Sequence, residues 1–158
     1  ISLARKYGVS ARKASIAALL HDYARRHDRK GLLKEARTQK IKIDQVSRFE
    51  PKLLHAELSA IFAKKDFGIK AKDILSANRK HTLGTETMTK LEKIIYLADH
   101  IEEGRDFPGV KKTQKLAFLN LDKAVVDSTT GLLIYLLGKN LPVHPGTIKT
   151  RNHYLMKK

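Results

Sequence analysis

Cysteine is absent from these 158 residues, which excludes disulfides and thiolate metal sites. Any metal must therefore be held by imidazole and carboxylate groups. Tryptophan is absent as well and only 6% of residues are aromatic. That is a thin supply for a platform on which single-stranded bases would stack. No apolar stretch approaches the roughly 20 residues of a membrane span, and GLLIYLLG at 131–138 is far too short. With no secretory leader visible, a cytoplasmic location is expected. Acidic residues are scarce, 16 against 32 Lys and Arg, for a formal net charge of +16. Such an excess favours polyanionic partners such as nucleic acid, a membrane surface or phosphorylated small molecules. A solvated Lys-rich surface accounts for it equally well. The basic residues are spread along the chain, which argues against a dedicated nucleic-acid tail.

What is present is a chain that folds. Its length predicts one domain able to bury roughly 70% of its unfolded surface, and 42% hydrophobic residues suits a globular core. The apolar period is helical almost throughout. Ser10 is a plausible N-cap for a helix carrying Ile16, Leu19 and Leu20 and ending near Tyr23. A second helix is predicted over 28–38, with Leu32, Leu33 and Ala36 inward. Pro51 suits the first turn of a helix carrying Leu54, Leu58, Ile61 and Phe62. Residues 69–82 form another, with Ile69, Ile74 and Ala77 near one face and His81 at its end. Thr89 with Glu92 has the form of a capping box, opening a helix whose stripe is Leu91, Ile94, Ile95 and Ala98. Gly and Pro punctuate a loop at 104–109. Residues 121–139 read as a long buried helix, and a final helix follows Pro142 and Pro145. No alternating strand pattern stands out, so the expectation is an all-α, single-domain helical bundle.

The chemistry-bearing residues sit on these helices. AALLHDYARRHD at 17–28 runs an apolar face into adjacent His21 and Asp22. Helical neighbours differ by about 100° in direction, so both reach one cluster only at a helix flank. A polar helix end and half of a metal site both fit the pair. Asp99 follows IIYLA, near a buried stripe where a lone carboxylate is costly unless paired or metal-bound. His55 lies on an inner face as a core histidine or a ligand, and His81 opens the polar turn HTLGTETM. His100 points elsewhere and reads as surface. Taken together, His21, Asp22 and Asp99 match how helices assemble a site for a hard or borderline metal.

Three stretches, AALLHDYAR, HTLGTETMTKLEKIIYLADHIEEGRDFPGV and HPGTIKTRN, resemble the HD-domain phosphohydrolases of the symmetrical bis(5'-nucleosyl)-tetraphosphatase type. The resemblance runs in order over essentially the whole chain. It implies an HD-domain bundle over 1–158 that holds metal through His21, Asp22 and Asp99. It places His55 and His81 near phosphates or a second metal, and gives Asp22 and His81 catalytic roles. The nucleotide contacts it implies are Arg25, His55, His81, Thr82, Arg105, Thr147, Arg151 and Asn152. The implied cofactor is a divalent metal, iron, as a dinuclear centre. The implied reaction converts diadenosine tetraphosphate to two ADP through a metal-activated hydroxide, with Arg25, Arg105 and Arg151 neutralising polyphosphate. The family's first metal His belongs on a helix preceding Ile1, so the expectation is that a first helix, and with it a ligand, lies upstream. The same reading leaves room upstream for a fusion partner domain. Glu103 stands where the family often has Pro. Hydrolysis of another nucleotide, or a non-catalytic basic module binding RNA or nucleotide, are the alternatives; nucleic acid is the weaker of the two partners.

Overall fold

A computed structural model describes residues 1–102, 104 and 108–157. Among them are ten α-helices and no strand, as the periodicity predicts. In chain order these are α1 (Ser2–Lys6), α2 (Ala11–Leu20), α3 (Arg29–Thr38), α4 (Gln45–Phe49) and α5 (His55–Phe67). They continue as α6 (Lys72–Lys80), α7 (Lys90–Ile101), α8 (Val110–Leu119), α9 (Leu121–Gly138) and α10 (Pro145–Met156). Short 3-10 turns occupy Tyr23–Arg26 and Pro51–Leu54.

Local sequence starts these helices. The Ser10 hydroxyl accepts from the Lys13 N–H at 3.3 Å, and the Asp28 carboxylate from Gly31 at 2.7 Å. Thr89 and Glu92 form the full reciprocal box that opens α7. Caps of this kind each contribute roughly 0.5–2 kcal/mol. Pro51 opens the 3-10 turn that runs into α5, and Pro145 opens α10 behind a His144 cap.

Helix α7 lies at the centre. Leu91 and Ile95 pack with Ala14, Ala17, Ile74 and Ala77 from α2 and α6. Ile94, Tyr96, Leu97 and Ile101 pack with Ala117, Leu121, Ala124, Val125 and Tyr154 from α8, α9 and α10. A third cluster joins Ala24, Leu32, Ala36, Leu54, Leu58 and Phe62. An element apolar on more than one side has to be interior, and Asp99 rides on its last turn.

Three expectations need correction. Helix α2 stops at Leu20 rather than Tyr23, because the chain tightens into a 3-10 turn after His21 and Asp22. Leu19 is 80% exposed, on the side away from Ala14 and Ala17. Helix α9 is buried only in its first half: Leu121, Ala124, Val125, Ser128 and Thr129 are covered, whereas Ile134, Tyr135 and Leu137 are exposed. No helix among the described residues is long and apolar enough to cross a membrane.

Candidate metal centre and adjoining cleft

The ends of four helices deliver the cluster. His21 is the C-cap of α2, and Asp22 follows where the helix turns aside. His55 begins α5, His81 is the C-cap of α6, and Asp99 lies in the last turn of α7. Helix ends give side chains that a regular helix would fan apart the freedom to converge.

Each of the three imidazoles is tied to the backbone carbonyl three residues before it. Nδ1 of His21 donates to Ala18 at 2.6 Å, Nδ1 of His81 donates to Asn78 at 2.7 Å, and Nδ1 of His55 donates to Lys52. A carbonyl only accepts, so in the neutral ring the proton sits on Nδ1 and Nε2 is left bare. All three Nε2 atoms face Asp22 or Asp99. His21 Nε2 is 3.7 Å from both Asp22 Oδ2 and Asp99 Oδ1. His55 Nε2 lies 3.0 Å from Asp22 Oδ1, and His81 Nε2 lies 3.5 Å from it. Neither approach has hydrogen-bond geometry, and Asp22 Oδ1 is a fully buried acceptor without a donor. His55 and His81 bring their Nε2 atoms within 2.8 Å of each other.

Bare nitrogens and a donorless carboxylate oxygen packed together repel unless something positive joins them. The Thr82 hydroxyl, 3.3 Å from His55 Nε2 and 3.1 Å from His81 Nε2, has one proton and satisfies one of them. A divalent cation satisfies the rest: His21, Asp22 and His81 each offer an atom within 4.8 Å of the others. Bare imidazole and carboxylate are ligands that such an ion takes, and Nδ1–H to carbonyl bonds are the usual second support. The residues fit a metal.

The electrostatics agree. Burial opposes ionising Asp22; the groups that draw its carboxyl far below the usual range are His55 and His81, which do so only with a proton on Nε2, and Arg25, which donates to Oδ2 whatever their state. Burial likewise opposes Asp99, but His21, His100 and His81 bring it down to about 2. Burial lowers His81, aided by the neighbouring His55 and His21. Burial works against charging His21 too, but Asp99 and the Ala18 carbonyl prevail and its pKa is raised. Both aspartates are therefore anionic at neutral pH and His81 is uncharged.

A cleft of about 420 Å³ opens from this cluster. Arg25, His55, Thr82, Asp99 and Thr147 line its polar end. Phe49, Leu53, Leu83, Leu132, Leu136, Leu141 and Pro142 line the rest with Glu50 and His144. So does His100, which was expected at the surface but is half-buried with Nδ1 donating to the Tyr96 carbonyl at 2.8 Å. Arg25 Nη1 donates to Asp22 Oδ2 at 2.9 Å, so its guanidinium stands beside the ligands and at the cleft mouth together. Arg151 and Asn152 do not line the cleft: Arg151 Nε donates to Thr130 at 2.8 Å, tying α10 to α9, and Asn152 is exposed. Arg105 and Glu103 lie outside the described residues.

Two contributors escape the sequence reading. His144 caps α10, lines the cleft, and brings Nε2 to 3.3 Å from Asp44 Oδ2 across a separation of 100 residues. A His just before Pro at a helix start is a cap signal, and it was available in VHPGT. The apolar wall from α9 carried no signal, because its leucines read as core.

Known proteins resemble this chain over most of its length. The HD domain family model matches residues 1–104. A protein of Halalkalibacterium halodurans named "Bis(5'-nucleosyl)-tetraphosphatase, symmetrical" is 39% identical over 157 residues, covering 99% of this chain and 83% of that one. The Bacillus subtilis protein of the same name is 39% identical over 152 residues, 96% of this chain and 81% of its own. A solved structure, described as a predicted HD superfamily hydrolase involved in NAD metabolism from Clostridium acetobutylicum, superposes with a TM-score of 0.95. It is 35% identical, covering 99% of this chain and 83% of the other.

Proposed function

The chain belongs to the HD-domain family, and from that premise we propose that it is a metal-dependent hydrolase cleaving diadenosine tetraphosphate symmetrically into two ADP. The observation that carries this reading is the set of bare Nε2 atoms and the donorless Asp22 oxygen at the end of an Arg-flanked cleft. Near-full-length similarity to relatives named for the symmetrical reaction supports the substrate.

His21, Asp22 and Asp99 would hold a divalent metal, iron in our reading, and His55 with His81 would complete a dinuclear centre. When bound, such ions supply Lewis acidity towards a phosphoryl oxygen and activate water near neutral pH. The protein's own groups do the remainder. Arg25, held beside the ligands by Asp22, neutralises a phosphate at the reacting position with a fork that Lys lacks. The Thr82 hydroxyl turns from the imidazoles to donate to a phosphate oxygen. Thr147, buried at the start of α10, provides a second hydroxyl. The leucine wall seats a base and excludes water from one side of the phosphate chain. Arg105 extends the phosphate contacts.

The test is turnover of diadenosine tetraphosphate by the metal-loaded protein, with products separated by chromatography. ADP as the sole nucleotide product, lost on chelation and restored by metal, is the expected result. Products of AMP and ATP, or turnover that persists in chelator, would overturn the reading.

A further inference from the structure

A symmetrical substrate has two halves, and the leucine-walled cleft holds one. On the other side of Arg25 lies a second, smaller cavity of about 280 Å³, lined by Arg25, His27, Asp28, Arg29, Leu32 and Lys52. We propose that this cavity is the subsite for the diphosphate of the second, departing nucleotide; the inference rests on the hydrolase reading above.

The case is built from shared residues and from chemistry. Arg25 is common to both cavities and bonds to Asp22, so a phosphate chain crossing the ligands meets both compartments at that guanidinium. The 3-10 turn Pro51–Leu54 forms the partition: Leu53 faces the cleft and Lys52 the second cavity. The two compartments differ in kind. The cleft has an apolar wall, whereas the second cavity has a single apolar lining residue, Leu32, and no seat for a base. Its charges are cationic by majority. Arg25, Arg29 and Lys52 face one carboxylate of the lining, Asp28, which already accepts from the Gly31 N–H. Glu50, a residue of the first cleft, pairs with Arg29 at 2.9 Å and Asp22 pairs with Arg25 at 2.9 Å, so both guanidiniums are fixed in place and a phosphate there would share them with carboxylates. A small polar compartment of fixed cations adjoining the reacting position suits phosphates and leaves the second nucleoside in solvent.

Lys52 is the residue to change, because its side chain is exposed while the carbonyl that holds His55 belongs to the backbone. Wild type should cleave adenosine 5'-tetraphosphate about as well as diadenosine tetraphosphate, since both place two phosphates beyond the scissile bond. ATP, with one, should be poorer. Lys52→Glu should lower kcat/KM for both tetraphosphates on the order of tenfold or more, with a smaller change for ATP and an unaltered melting curve. Lys52→Arg should restore the tetraphosphates. Calorimetry with ADP on the metal-loaded protein should count two sites in wild type and one in Lys52→Glu. A single ADP site in wild type, or unchanged discrimination in Lys52→Glu, overturns the inference. If wild type turns over nothing, the hydrolase reading falls instead, and the ADP count still decides the subsite.

Discussion

Asp22 is the residue on which the site turns, since His55, His81, His21 and Arg25 all approach its carboxylate. Changing it to Asn keeps the shape and removes the charge that a cation needs. Losing even an outer support of a metal ligand typically weakens affinity 10–100-fold. Asp22→Asn is therefore expected to lose metal by on the order of 100-fold or more and activity with it, as metal analysis and product assays would read. Asp44 serves a different purpose, capping α4 and meeting His144 Nε2 at 3.3 Å. Partial burial raises its pKa, but the Ser47 hydroxyl and N–H, with His144, outweigh that and bring it down to about 2. A carboxyl depressed on folding contributes stability above its unfolded value near 3.8, and the contribution is lost as pH falls through the folded value. Asp44→Asn should thus narrow the stability difference between pH 5 and pH 2, followed by thermal melts; a variant as acid-sensitive as wild type would contradict this. Most of these roles were legible in the residues themselves. His21, Asp22 and Asp99 are ligand types next to apolar stripes, but the atom the structure brings within 4.8 Å of His21 and Asp22 is one of His81, while Asp99 approaches His21 at 3.7 Å. For His144 the cap was legible in VHPGT but the contact with Asp44 was not, because that partner lies 100 residues away and no local period connects them.

At the level of elements, caps and turns were the readable part. Ser10, Asp28 and the Thr89–Glu92 box each state a start in four residues, and the structure uses all of them. Helix α8 was harder to see because its buried face is Val110, Thr113 and Ala117, a correct spacing written in small or polar residues. Helix α4 is five residues long and too short to show a period. Helix α9 misled in the other direction: leucines that read as core form a cleft wall or face solvent. The turn after α6 depends on an element far away in sequence. Gly84 has φ +66°, and a Cβ there would meet Thr150 Cγ2 at 2.6 Å, while Thr150 Oγ1 donates to the Leu83 carbonyl at 3.0 Å. Gly84→Ala combines left-handed strain with a clash, an effect of about 1–3 kcal/mol. It should lower the melting temperature by several degrees, and raise KM because Thr82 and Leu83 would shift. Unchanged melting and KM would show the turn to be adaptable.

Over the whole molecule, the +16 charge is a field rather than a contact. If it draws a tetraphosphate to the site, kcat/KM should fall with ionic strength as the screening length shrinks from about 10 Å at 0.1 M towards 3 Å at 1 M. The kcat should move little. A salt-independent kcat/KM would leave the charge without a part in substrate capture. Steep, salt-sensitive binding of RNA that survives chelation would point to nucleic acid instead. Nothing in composition decides between these, because net charge says nothing of where the field is focused. The arrangement of Arg25, Arg29 and Lys52 beside the ligands does bear on it.

The placement of the ligands at helix ends has a consequence for degradation. His21, Asp22, His55, His81 and Asp99 stand on segments between which the chain makes three long excursions, one of them through the irregular stretch at 41–44. An ion held by all of them would clamp α2, α5, α6 and α7 at their tips, where helices otherwise fray first. Binding to the folded form alone stabilises it in proportion to the logarithm of free ion concentration. The rate at which a protease nicks the 41–44 stretch should then fall as free metal rises and climb in chelator. Survival of the protein in a cell would follow its metal supply, and starvation for the ion would remove the chain as well as silence it.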